Sequence, residues 1–206
     1  PWRRWREVLL LSVLSIALPC ALYAWAALQL PAGYSALINT TSVVFGTLAS
    51  AWMREDTLTA PKLAGCVLGF VGVALIVRLG PLQPDVPTLL AAGAAMLAAA
   101  SYGVCAPLMK RATRQMEPLA IAAVLHLIAL VLLLPGAAVT WPQAQFTPLA
   151  LGATAVLGVV TSGLAFWAYL RIVRQVSPVA GMSQAFMIPV FGVAWGHLAL
   201  GEPLGS

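Results

Sequence analysis

The chain has 206 residues, of which eleven are Lys or Arg and six Asp or Glu, against 61% hydrophobic residues and a mean hydropathy of +0.94. That balance excludes a water-soluble domain, whose surface needs far more charge. The net charge of +5 lies in short clusters between long apolar runs, so it reads as membrane topology and not as a nucleic-acid footprint.

A helix crosses the hydrocarbon core with roughly 20 apolar residues. Seven runs of that order occur, at about 8–28, 34–53, 63–80, 86–109, 118–138, 147–170 and 177–200. Period-two alternation is absent and the runs are about twice as long as a membrane strand. Helices also satisfy their own backbone hydrogen bonds in lipid. The expected fold is therefore an all-α integral membrane bundle. Breakers stand in the connectors, at Leu30-Pro31-Ala32-Gly33, at Gly80-Pro81-Leu82-Gln83-Pro84 and at Trp141-Pro142-Gln143.

Alternating the sides of the connectors puts Arg3, Arg4, Arg6, Arg54, Lys62, Lys110, Arg111, Arg114, Arg171 and Arg174 on one side and Arg78 on the other. The crowded side is cytoplasmic by the positive-inside rule. No Asp, Glu, Lys or Arg falls near the centre of a span, so this segment alone cannot build a carboxylate proton relay. A phosphate-binding Lys-Ser/Thr loop is missing too, which argues against ATP hydrolysis here.

In the first span Tyr23 and Trp25 are cavity candidates, with the interfacial aromatic belt as the competing reading. Trp2, Trp5, Trp52 and Trp141 fit the belt. In the second span Ser35, Asn39, Ser42 and Gly46 follow i, i+4, i+7 and i+11 spacing and share one helix face. Two readings stand side by side: helix packing through small and hydrogen-bonding residues, or Asn39 and Ser42 presented to a solute. Gly65, Gly69 and Gly72 form a smooth stripe on the third span, read as a packing surface.

His126 is the mid-span histidine, read either as a neutral, satisfied side chain or as a solute or proton site; His197 reads as interfacial. Trp167 in the sixth span is divided between belt and cavity. In the seventh, Gln184 is costlier to bury unpaired than Ser183, which makes it the binding candidate. Pro189 cannot give a backbone bond and is a hinge candidate. Cys20, Cys66 and Cys105 lack paired spacing and read as packing residues. No metal site and no cofactor are expected.

Sliding the chain by 146 residues lays 19–58 on 165–204 without a gap. Tyr23 meets Tyr169, Gln29 meets Gln175, Val44-Phe45-Gly46 meets Val190-Phe191-Gly192, and Asp56 meets Glu202. By the charge pattern the two copies cross the membrane in opposite senses, an inverted repeat of the kind many secondary transporters carry. The expected units are 1–80 and 81–206.

The first copy, from Leu28-Gln29-Leu30-Pro31-Ala32-Gly33-Tyr34-Ser35-Ala36-Leu37 through Phe45 to Arg54-Glu55-Asp56-Thr57-Leu58 and Gly65, Gly69 and Gly72, resembles the second half of an EamA-type repeat. The second copy, Val176-Ser177-Pro178-Val179-Ala180, then Ile188-Pro189-Val190-Phe191 and Leu200-Gly201-Glu202-Pro203-Leu204, resembles it more closely. One departure is Arg54-Glu55-Asp56, where the usual pattern is a Gly-Glu pair. The resemblance, to a family of the drug/metabolite transporter superfamily, implies ten helices in two inverted repeats. On that template this chain holds the third to the ninth helix, and Trp2-Arg3-Arg4-Trp5-Arg6 reads as an internal loop.

The function expected is a permease for small organic metabolites such as amino acids or drugs, working by alternating access in a bilayer, with a bacterial inner membrane suggested by the Ala- and Leu-rich composition and short loops. A homodimer is admitted as an assembly. The alternative is an intramembrane serine hydrolase built on Ser162-Gly163 and His126, for which no third orienting group is visible.

Overall fold

The computed structural model describes residues 4–76, 85–144 and 146–200. Trp2, Arg3, Arg78, the turn at 201–206 and the side chain of His197 lie outside the described residues. Among them every regular element is helical, and the helices number seven: α1 (Trp5–Ala26), α2 (Ala32–Trp52), α3 (Ala60–Ile76), α4 (Val86–Thr113), α5 (Pro118–Thr140), α6 (Pro148–Gln175) and α7 (178–200). α1, α4, α5 and α6 are long and apolar enough to cross a membrane, whereas α3 and the first part of α7 are apolar but shorter. α2 spans 21 residues, but Asn39-Thr40-Thr41-Ser42 and further hydroxyls dilute its hydropathy. Thr40, Thr41 and Thr47 spend their hydroxyls on carbonyls of the preceding turn at 2.6–2.7 Å.

α1 shows how one proline shapes a helix and its packing. Its turn at Val13–Ala17 is π-helical, and the Leu18 N–H donates to the Val13 carbonyl. The next five-residue step would run from the Leu14 carbonyl to residue 19, which is Pro19 and has no N–H. Ser101 Oγ on α4 supplies the missing donor, 2.7 Å from the Leu14 oxygen. One turn earlier the buried Ser12 Oγ donates to the Leu125 carbonyl of α5 at 2.7 Å. α1 is thus pinned between α4 and α5.

α4 is the hub. Ala91, Ala95, Ala98 and Ala99 are fully buried, and side chains this small let neighbouring backbones approach closely. The approach is tightest at Gly103, where a Cβ would lie 2.5 Å from Phe45 Cβ and 2.7 Å from the Gly46 nitrogen of α2. A core of Val8, Leu11, Met109, Ile121, Leu125 and Leu170 joins α1, α4, α5 and α6. By contrast, no residue of Pro148–Val156 is buried.

The C-terminal ends of α2, α4 and α6 meet at one end of the bundle, and the described basic connectors gather there. α4 and α6 outrun their apolar stretches to reach it. Lys110, 9% exposed, donates to the carbonyls of Val173, Arg174 and Val176 at 2.8, 2.9 and 2.7 Å. It therefore satisfies the open carbonyls at the C-terminus of α6 and opposes that helix's negative dipole end. α2 stops in a Schellman turn: the Glu55 N–H reaches the Ser50 carbonyl and the Arg54 N–H the Ala51 carbonyl. Arg54 takes the left-handed position at φ 58° that glycine usually fills.

Candidate functional site

At the centre, α1, α2, α4, α6 and α7 line a partly open cavity of about 370 Å³. Ser15, Asn39, Ser42, Tyr102, Thr161 and Gln184 supply its polar wall, and Cys105, Ala106, Met109, Phe166, Tyr169, Met182 and Ile188 are among its apolar and aromatic neighbours. Among the described residues, no Asp, Glu, Lys, Arg or His lines it. Met109 and Met182 are buried on its wall, and the buried Leu170 and Val173 follow Tyr169 along α6 towards the basic end.

The wall repeats with the sequence offset of 146. Ser15 corresponds to Thr161, Asn39 to Ala185 and Ser42 to Ile188, and all six residues line the cavity. Ser15 and Thr161 both sit in π-helical stretches, Val13–Ala17 and Leu157–Ala165. Both hydroxyls donate to the carbonyl four residues back, Ser15 to Leu11 and Thr161 to Leu157. With their protons spent on the helix, the two oxygens offer lone pairs to the cavity.

Asn39 is aimed by its neighbour. Tyr23 Oη donates to Asn39 Oδ1 at 3.0 Å, and the Tyr23 ring stacks on Tyr102 with centroids 6.3 Å apart. Holding the amide oxygen in this way leaves the Asn39 NH₂ as a donor for the cavity. On the opposite wall Gln184 lies in a 3₁₀ turn, Ser183–Phe186. The same stretch precedes Pro189, which has no N–H to give to the Ala185 carbonyl.

The predicted site residues therefore separate. Asn39, Ser42 and Gln184 come together on the cavity wall, and Tyr23 acts on it through Asn39. Gly46 faces Met182, whose sulfur would lie 2.1 Å from an added Cβ. Trp25 is 45% exposed and outside the wall. Trp167 carries the Arg171 guanidinium over its ring at 5.1 Å. His126 has Nδ1 2.8 Å from its own-turn Ala122 carbonyl and meets the edge of Phe166 at 5.0 Å between centroids, so it touches the wall only through that ring. Neither the Trp167 nor the His126 side chain lines the cavity. No hydrogen bond joins His126 to Ser162 among the described residues. Of the α3 glycines, Gly69 packs under Phe186, while Gly65 and Gly72 have nothing within 4 Å among the described residues; Phe186 reaches α3 at one level of the stripe only.

Sequence reasoning missed Ser15, Thr161 and Tyr102. Extending the repeat four residues upstream of Pro19 would have paired the two hydroxyls. Tyr102 had only its place as a polar aromatic within an Ala-rich span.

At the basic end the electrostatics are ionic. Glu55 pairs with Arg111 at 2.6 Å and with Arg114 at 3.1 Å, and Asp56 pairs with Lys62. Burial pushes the Asp56 carboxyl up, but Lys62, the Thr57 N–H and the Ser177 hydroxyl outweigh it and hold the group below its ordinary value. At the other end Asp85 caps α4 through the Thr88 N–H at 2.9 Å, and the Thr88 hydroxyl together with that N–H lowers its carboxyl too.

The model of the EamA-like transporter family matches residues 1–78 and 89–206. A crystal structure of a protein 18% identical in sequence superposes with a TM-score of 0.80, over 100% of this chain and 70% of the other. At that identity the likeness bears on the fold alone. Among curated proteins, none matches the chain.

Proposed function

This chain belongs to the EamA-like transporter family of membrane transporters, and from that premise we propose that it carries small organic metabolites, amino acids and drug-like solutes among them, by alternating access. The observation that carries the reading is the central cavity, whose wall draws equivalent positions from two segments 146 residues apart. A site at the interface of inverted repeats is reached from either face when the repeats rock against each other. Its volume of about 370 Å³ falls in the range of small-molecule sites.

In this reading the Asn39 NH₂, the Gln184 amide and the Ser42 and Tyr102 hydroxyls bind the polar part of a solute, and Phe166 and Tyr169 pack on its apolar part. The basic end faces the cytoplasm, of a bacterial inner membrane, as the positive-inside rule argues. The test is flux into proteoliposomes carrying the intact protein, with labelled amino acids first and a wider metabolite panel second, with and without a pH gradient. Saturable flux that falls at least about tenfold, the weight of one polar contact, in Asn39→Ala and Gln184→Ala supports the reading. Flux untouched by both substitutions removes the cavity from it.

A further inference from the structure

The basic end holds a set of contacts that the cavity does not use. The turn after α2 projects Glu55, whose side chain is 9% exposed, between Arg111 of α4 and Arg114, the residue that follows its C-terminus: Oε1 lies 2.6 Å from Arg111 Nε and Oε2 3.1 Å from Arg114 Nη2. Arg111 Nη2 donates in addition to the Met53 carbonyl at 2.8 Å, so one guanidinium grips both a side chain and the backbone of the turn. Next to Glu55, Asp56 is held by Lys62 and faces the Ser177 hydroxyl, the N-cap of α7. The turn at the end of α2 is thereby tied to α4 and to α7.

These ties join the two halves of the repeat. α2 belongs to the first copy, and α4 and α7 lie in the second unit. α2 and α4 touch through their backbones at Gly46 and Gly103 beside the cavity, and Arg111 lies eight residues beyond Gly103, about 12 Å along the helix axis. The Gly46–Gly103 contact brings α2 and α4 close beside the cavity, and the Glu55 cluster ties the same two helices again at their basic end. Met182 packs on Gly46 at that contact, and Met109 lines the cavity one residue before Lys110. The repeat offset pairs Glu55 with Gly201 and Asp56 with Glu202 in the sequence.

We propose that Glu55, with Arg111 and Arg114, is the latch that keeps the basic end of the cavity shut and that it must open for solute to leave on that side. The proposal rests on the alternating-access reading and assigns the regulation of the same cavity. Lys110 has a different task. It holds α4 to the end of α6 within one unit, and it stays in place when the latch opens.

Access is measured without any solute. The intact protein, with Cys20→Ala and Cys66→Ala, keeps Cys105 on the cavity wall as the reporter. Inverted and right-side-out membrane vesicles are treated with a charged, membrane-impermeant methanethiosulfonate. Glu55→Gln, which keeps the side-chain shape, is expected to raise labelling from the basic face at least about fivefold, the lower bound of an ordinary coupling between sites. The charge swap Glu55→Arg with Arg111→Glu is expected to bring it back towards the starting rate. Unchanged labelling in Glu55→Gln overturns the latch, as does a swap that labels as fast as Glu55→Gln. Proteoliposome flux separates this outcome from the broader one. Saturable flux with an inert Glu55 leaves transport standing and removes the latch. Faster labelling in a protein that moves no solute of the panel keeps the latch and removes the transport reading.

Discussion

Lys110→Met tests whether one buried ammonium holds α6 to α4. The substitution preserves most of the side-chain volume but removes three donors, at 2.8, 2.9 and 2.7 Å from the carbonyls of Val173, Arg174 and Val176. Val173 is 1% exposed, so its carbonyl cannot recover a water, and an unsatisfied buried acceptor costs about 1–3 kcal/mol. The other two carbonyls lie at the helix end and rehydrate. Loss of the positive charge at the C-terminus of α6 adds roughly 0.3–1 kcal/mol. Relief of the ammonium's own desolvation offsets part of this, which leaves about 1–3 kcal/mol. For a chain of this size that lowers the midpoint of thermal unfolding in detergent by about 2–12 °C. Lys110→Arg should recover only part, because a planar guanidinium does not converge on three carbonyls. As a comparison, Lys62→Met, which removes a more exposed pair, should cost under about 1 kcal/mol. A Lys110→Met midpoint within about 1 °C of the parent would show that water already serves the end of α6, and the argument from buried carbonyls would fail.

Ser101→Ala should cost about 0.6–2 kcal/mol by stranding the Leu14 carbonyl; combined with Pro19→Ala, which supplies an N–H at residue 19, the cost should shrink, and a double-mutant cycle with no coupling would refute the link. Gly103→Ala should destabilise by about 1–3 kcal/mol because its Cβ would meet the backbone of α2, whereas Gly93→Ala, with nothing within 4 Å among the described residues, should be neutral or stabilising by up to about 1 kcal/mol; equal effects in thermal unfolding would contradict the close approach. Arg54→Gly should stabilise by about 0.5–1 kcal/mol by relieving the positive φ at the end of α2, a gain that chemical denaturation detects and that a loss would refute. Because the folded-state pKa of Asp56 is lowered, its contribution is fully present above the unfolded value near ~3.9 and disappears as pH falls through the lower folded value; Asp56→Asn should therefore flatten the acid limb of a stability–pH profile, and an unchanged limb would count against the Lys62 pairing.

The helices were legible because lipid imposes length and apolarity together, and the basic clusters marked the ends of α2, α4 and α6. Their limits were less so. α4 and α6 continue past the apolar run since Lys110 and the carbonyls of α6 satisfy each other, a long-range pairing with no trace in local hydropathy. The polar face of α2 pointed to Asn39 and Ser42, whose periodicity is a one-helix property. What aims Asn39 is Tyr23 on another helix, with Tyr102 stacked behind it, and such three-body arrangements leave no spacing to read. Aromatic type alone could not separate Trp167, drawn under Arg171, from Tyr169 two residues later on the cavity wall. Glu55 looked like a departure from a capping pattern. In the fold the turn caps α2 regardless, with Arg54 in the left-handed position, and the carboxylate is free to reach α4.

The widened turns of α1 and α6 also fix where those helices aim. A π-helical turn is an α-helix with one residue inserted, and each residue of a helix turns the chain by about 100°. Everything after the widened turn is thus rotated by about that angle relative to an uninterrupted helix. In α1 this orients Tyr23 towards Asn39; in α6 it orients Phe166 and Tyr169 towards the cavity. Deleting a single residue from Val13–Ala17 or from Leu157–Ala165 would keep the helix and its hydropathy almost unchanged while swinging those rings onto a neighbouring face. For this fold the count of residues in one turn is as much a determinant of the cavity as the chemistry of any side chain lining it.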